Sequence, residues 1–153
     1  MTLIELLVVV TIVSIMALGI GLTGGGVFAR PSDSARSLAD RFDGAVTQAR
    51  DRAVLGRRLV GLRPRPDGWM IVEPGRSGDW QPVGAPVRAR RASMAWQIDG
   101  QTFLPRLASA AADRRPAVIF APDGRATPLR LVIGQPGARI ACATDPGGGV
   151  TCD

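Results

Sequence analysis

Two kinds of side chain in this chain have the type and placement to do chemistry. One is a single carboxylate, Glu5, set inside an apolar run; the other is a pair of thiols, Cys142 and Cys152, near the carboxyl end. The chain has no histidine, so neither a Ser-His nor a Cys-His nucleophile pair can be assembled. Two thiolates alone do not complete a tetrahedral zinc site. The glycine clusters lack the strand-lysine-helix setting of a phosphate loop, since the sequence contains no lysine. Asp40 and Asp43 lie three apart on a polar stretch where carboxylates are simply hydrated, and Asp123 stands in a Pro-Asp-Gly turn for which aspartate is the routine choice. The chain is therefore expected to be no enzyme and to hold no cofactor and no metal. The thiols read as one disulfide formed in an oxidising compartment. Closing a loop of about eleven residues removes unfolded-state entropy worth ~2.5–3 kcal/mol.

Glu5 is the only ionisable side chain between Met1 and Leu22. At ~1.5 Å per residue a helix of that length is a rod of ~33 Å, enough to cross a hydrocarbon layer of ~30 Å. A carboxylate at that depth costs ~2.5–3.5 kcal/mol even on permissive insertion scales, so Glu5 needs a partner or a purpose. The nearest candidate is an α-amino group. That of Met1 in the same chain can approach it, and that of a neighbouring chain can pair with it equally well, which would link subunits. A cleaved signal peptide would need a basic region ahead of its apolar core, and none precedes Arg30. An ordinary single-pass anchor gives no reason for Glu5. Arg30 and Arg36, taken alone under the positive-inside rule, would leave the bulk of the chain in the cytoplasm, whereas the cysteine pair favours the periplasm.

The elements that must position these groups follow from the periodicity. Residues 1–29 form the transmembrane and assembly helix, and residues 30–153 are long enough for one domain with its own core. Between them Gly19, Gly21, Gly24, Gly25, Gly26 and Pro31 soften the rod, each glycine by ~1 kcal/mol relative to alanine. A second helix spans 32–55. Ala35, Leu38, Phe42, Val46, Ala49 and Ala53 share its buried face, Ser32 or Asp33 caps its start, and Gly56 ends it in the left-handed conformation. After Gly56 the period changes to that of strands. Arg58–Arg63 and Trp69–Glu73 form a hairpin through Pro64, Pro66, Asp67 and Gly68. Short strands are expected around Trp80–Val83, Val87–Arg90 and Met94–Ile98. Ala117–Ala121 and Pro128–Ile133 flank Asp123-Gly124 as another hairpin, and Ala138–Ala143 pairs with Val150–Cys152. Leu104–Arg115 reads equally as a helical turn or a surface loop. Trp69, Trp80 and Trp96 read as core or sheet-face aromatics. The fold class is α+β: a long amino-terminal transmembrane helix followed by a mainly antiparallel β domain, either one sheet or a two-sheet sandwich. The net charge of +6 comes entirely from arginines scattered along the chain, which is weak evidence for nucleic-acid binding.

A hydrophobic first residue followed by Thr2, Leu3, Ile4 and Glu5 and an unbroken apolar helix resembles the type IV pilins and the pseudopilins of type II secretion. That resemblance implies cleavage by a prepilin peptidase and methylation of the new terminus, here Met1, unless Met1 is an initiator. It implies insertion into a helical bundle through Met1 and Glu5, and export of the domain into the periplasm from a single inner-membrane span. SLADRFDGAVTQARDRAVLGRRLVGLRPRPDGW and AVIFAPDGRATPLRLVIG resemble the corresponding stretches of the minor pseudopilin H family. The family implies a subunit at or near the tip of a periplasmic pseudopilus that helps export folded proteins across the outer membrane. Its implied partners are the other minor pseudopilins I, J and K, the major pseudopilin G and the inner-membrane assembly platform. The alternative is a minor pilin of the FimT type that binds DNA for uptake.

Overall fold

The structure, a computed structural model, describes residues 34–105 and 115–153 together with Ile4, Leu7, Val8 and Val10. Those four residues are helical. Among the described residues no helix is long and apolar enough to cross a membrane. Met1, Glu5, the glycine-rich joint, Ser32 and Asp33, and the core of the Leu104–Arg115 segment lie outside the described residues. The chain divides into two units, 1–31 and 32–153.

The second unit opens on helix α1, Ala35–Leu55. Its first free amides are met by Ser34, whose Oγ accepts from the Ser37 N–H at 3.2 Å, so the helix is capped one residue later than Asp33. The Ala35 N–H is taken by the side chain of Gln135, whose Oε1 accepts at 2.9 Å. All six residues assigned to the inner face are buried, and Ala39 joins them. At the other end Gly56 is not left-handed: its φ is −80°, and Arg57 takes the positive φ, 47°, instead. Arg58 N–H then reaches the Ala53 carbonyl at 3.1 Å and Arg57 N–H that of Val54 at 3.3 Å, which is the Schellman closure displaced one residue past the glycine.

Ten strands follow. β1 (Val60–Arg65), β2 (Gly68–Pro74), β3 (Trp80–Pro82), β4 (Val87–Arg88) and β7 (Val118–Phe120) make one sheet, in the order β3-β2-β1-β7 with β4 paired to β2. β5 (Ser93–Ile98), β6 (Gln101–Phe103), β8 (Leu129–Gln135), β9 (Ala138–Thr144) and β10 (Val150–Cys152) make the other, in the order β10-β9-β8-β5-β6. All pairings are antiparallel, so the two-sheet alternative is the one realised. α1 packs on β8, β9 and β10 of one sheet and on β1 and β7 of the other.

Three local readings are corrected. β1 continues through Pro64, because its partner on that side, β7, pairs only as far as Leu62, so the missing N–H breaks no ladder bond there. The turn is therefore only Pro66-Asp67, between the partners Arg65 and Gly68. The segments flanking Asp123-Gly124 are not a hairpin of one sheet: β7 pairs with β1, while β8 pairs with β5 and β9. The turn still closes on itself through a Phe120–Ala126 bridge and a Thr127 N–H bond to the Ile119 carbonyl at 3.0 Å. The chain then crosses to the second sheet, where the Pro128 carbonyl accepts from the Asp99 N–H at 2.9 Å. Finally, β6 was not anticipated.

The core is organised about Phe42. Its ring meets Trp69 of β2 edge-on, centroids 5.4 Å apart at 87°, and Trp96 of β5 at 6.1 Å and 64°, so one helical residue touches an indole from each sheet. Trp96 also donates from Nε1 to the Arg65 carbonyl at 3.3 Å, whereas the Trp69 Nε1 is buried without a hydrogen-bond partner. Trp80 is half-buried in the short strand β3. Gly61 is required by close approach: a Cβ there would run into the ring of Pro116.

Two stability measurements test this arrangement. Arg57→Gly removes a side chain from a left-handed position and is expected to raise unfolding free energy by about 0.5–1 kcal/mol in urea titrations. Trp69→Phe and Trp96→Phe delete the same volume, but only the second breaks a hydrogen bond and strands a carbonyl. Trp96→Phe should therefore be the more costly by about 1–2 kcal/mol.

Candidate assembly surface

The two thiols meet. Cys142 on β9 and Cys152 on β10 are register partners and form a disulfide with Cα atoms 4.1 Å apart. The flanking pair, Ala141 and Asp153, exchanges both backbone bonds, at 2.8 and 3.0 Å, so the cysteines occupy the close, non-hydrogen-bonded position that suits a cross-strand bridge. Cys142 is fully buried in the core cluster while Cys152 is half-buried against it. The bridge thus fastens the three-residue edge strand β10, which α1 covers from one side, to the body of its sheet. The connector from Asp145 is closed by the Asp145 carboxylate accepting from the Gly149 N–H at 2.9 Å.

The carboxyl end of α1 is tied to the first sheet by ions that sequence reasoning missed. Glu73 of β2, whose side chain is only 13% exposed, meets Arg52 at 3.4 Å and Arg58 at 3.1 Å. The helix spacing marks Arg52 only as a residue of its polar side; the partner comes from a strand, and no local pattern pairs them.

The outer face of α1 carries Asp40, Asp43, Gly44, Thr47 and Asp51 at helical spacing and ends in Leu55, which is 84% exposed. A shallow groove of about 810 Å³ runs beside it, lined by Asp43, Thr47, Asp51, Leu55 and Arg58 among others. Among the described residues a Cβ on Gly44 would meet nothing within 4 Å, and Asp40 is engaged by Arg36, 3.5 Å away and as exposed as itself. Asp123 accepts from the backbone N–H of Arg125 at 3.1 Å and from its guanidinium at 2.6 Å; these bonds, the backbone one foremost, hold its carboxyl below the ordinary value. Among the described residues no three His, Cys, Asp or Glu side chains converge on a metal position. The predicted assembly residues Met1 and Glu5 lie outside the described residues, so the structure brings together only the cysteine pair of the sequence-derived set.

This geometry of one helix laid over two antiparallel sheets has known counterparts. A family model described as "Type II transport protein GspH" matches residues 38–148. The chain belongs to the GspH family. It is 30% identical over 154 residues to the Type II secretion system protein H of Escherichia coli (strain K12), an alignment covering 93% of this chain and 87% of that protein. In fold it is similar to the minor pseudopilin EpsH of Vibrio cholerae, with a TM-score of 0.63 at 14% identity over 81% of this chain and 95% of that one. The solution structure of Escherichia coli GspH is likewise similar, with a TM-score of 0.56 at 22% identity over 82% and 94%. Membership in this family makes the chain a minor pseudopilin of type II secretion and favours that reading over a DNA-uptake pilin.

The covalent link offers a direct test. Cys142→Ser/Cys152→Ser is expected to lower unfolding free energy by about 2.5–3 kcal/mol, and hydrogen exchange should show protection in β10 falling before that of β8.

Proposed function

We propose that the chain is a non-enzymatic structural subunit of a type II secretion pseudopilus, placed at or near the filament tip and helping to export folded proteins across the outer membrane. The family match over residues 38–148 carries this reading. Residues 1–29 serve as a single inner-membrane span and filament-assembly helix, and residues 30–153 as the periplasmic domain. A prepilin peptidase exposes Met1, which is then methylated. Glu5 sits in hydrocarbon because the amino terminus of an adjoining subunit neutralises it on incorporation, which also gives the unmet cost of the lone carboxylate a purpose. The other minor pseudopilins, I, J and K, the major pseudopilin G and the assembly platform are its partners. The disulfide fits the oxidising compartment that this topology requires.

The outer face of α1 supports a role in subunit packing. Mid-helix glycine costs about 1 kcal/mol relative to alanine, and Gly44 has open space above it; a neighbour's backbone approaching that position would make use of the missing side chain.

Glu5→Ala discriminates assembly from simple anchorage. The variant should keep its domain, judged by the disulfide and an unchanged unfolding midpoint, and still fractionate with membranes, while its content in sheared filaments falls about tenfold, equivalent to ~1.4 kcal/mol of lost association. Normal filament content and normal secretion in that variant would overturn the proposed role of Glu5.

A further inference from the structure

The ends of the domain differ in charge. α1 begins beside the β8–β9 turn, where Gln135 accepts from Ala35. Strand directions put the β1–β2 turn, the 88–92 segment and the start of β5 at that same end, with Ser93 opposite Gly134 and Ala89 N–H bonded to the Asp67 carbonyl at 2.7 Å. Exposed here are Arg88, Arg90, Arg91 and Arg139. The nearest acid in these turns, Asp67, is already engaged by Arg65 at 3.5 Å. At the far end, in the turns that follow β2, β5, β7 and β9, Asp79, Asp99, Asp123 and Asp145 stand among the exposed Arg57, Arg58, Arg76 and Arg125, so charges of both signs are mixed there. Each of these aspartates lies in an exposed turn reached by the opposite strand direction.

A pocket of about 390 Å³ occupies the basic end, lined by Arg91, Ser93, Gly134, Gln135, Pro136, Ala138 and Arg139, without a single acid. Among the described residues neither Arg91 nor Arg139 has an ion-pair or hydrogen-bond partner. In the row Ser93–Gly134–Arg139 the Ser93 Oγ takes the space beside Gly134, 2.6 Å from where a Cβ would stand, and donates to the Gly134 carbonyl at 3.2 Å, while the two guanidiniums carry only donors.

We infer that the Arg91–Arg139 pocket and the arginines around it form a docking surface for the phosphates of anionic phospholipid in the membrane that holds the anchor. The inference rests on the proposed span. The apolar run ends at Leu22 and the domain begins at Ser34, so the intervening chain reaches at most ~40 Å even fully extended. The end of the domain that the chain enters is its basic end. Attraction of the unpaired arginines of this end to an anionic surface, with charges of both signs mixed at the opposite end, turns the basic end toward lipid. Arg91 and Arg139 together shift the docked population by roughly 25-fold.

The test uses the full chain in nanodiscs of pure phosphatidylcholine and of phosphatidylcholine with phosphatidylglycerol, followed by amide hydrogen exchange. In anionic discs residues 88–93 and 134–139 should exchange several-fold more slowly than in zwitterionic discs. The difference should vanish at high salt, as expected for screened surface charge, and in Arg91→Ala/Arg139→Ala, while α1 stays equally protected throughout. Identical exchange in the two lipids overturns the docking surface but leaves the anchor standing if the chain remains in the discs. Inorganic phosphate reproducing the protection in zwitterionic discs would assign the pocket to a free anion and overturn the lipid. A chain that enters neither disc overturns the span and the docking surface with it.

Discussion

The fold turns on a demand placed on a single residue. One face of α1 must satisfy two sheets at once, and the ring of Phe42 does so by meeting Trp69 from the first and Trp96 from the second. Edge-to-face aromatic contacts are worth more than the area they bury, and they are directional, so the helix cannot slide or rotate without losing one. Around that centre the helix offers one more large side chain, Leu38, and otherwise small or slender ones, Ala35, Ala39, Val46, Ala49 and Ala53. These allow its backbone to lie close to the strands at both flanks. The Trp96 bond to the Arg65 carbonyl and the Arg52–Glu73–Arg58 cluster then fix the remaining freedoms, one between the sheets and one between the helix end and β2.

What was legible from sequence, and what was not, follows from whether the deciding force is local. The inner face of α1 was readable because periodicity of 3.6 is a property of the helix itself. The disulfide was readable because Cys142 and Cys152 had no other partner to choose. Two Asp-Gly pairs show where local reasoning fails. Asp99 and Gly100 both take positive φ, 52° and 77°, and make the tight hairpin that joins β5 to the unanticipated β6, a turn whose dipeptide signal was present. Asp123-Gly124 has the same signal, yet only the glycine takes positive φ, and the flanking strands go to different sheets. The difference lies in the long-range partners of the flanking strands, β1 for β7 and β5 and β9 for β8, which no dipeptide encodes. Gly56 and Arg57 repeat the lesson on a smaller scale: the glycine was the obvious left-handed residue, but the chain's exit toward β1 set the closure one position later. Glu73 was invisible because its two partners lie on α1 and just beyond it.

Stability and assembly draw on separate parts of this molecule. Among the described residues every large fully buried side chain lies inside the helix-and-sheets body, and none of the buried residues is charged. The outer face of α1, by contrast, carries features that contribute nothing to its own fold: an unneeded glycine at position 44, carboxylates without tight partners, and a leucine, Leu55, left in water. A helix that had only to stabilise its own domain would gain from alanine at 44 and a polar residue at 55. Retaining neither choice is consistent with a surface whose complement is supplied by another subunit.

The same division accounts for the place of the disulfide. β10 is a three-residue strand at a sheet edge, and a ladder that short cannot hold itself against solvent. Yet it lies under α1, and its loss would uncover Cys142, Leu129 and the helix face above them. A covalent bridge across β9 and β10 protects the helix platform at its weakest margin and does so without adding bulk to the outer surface. In a protein whose work is to be gripped by neighbours, rigidity of that platform matters more than any single contact, because a helix that shifts under load presents a different face to the subunit beside it.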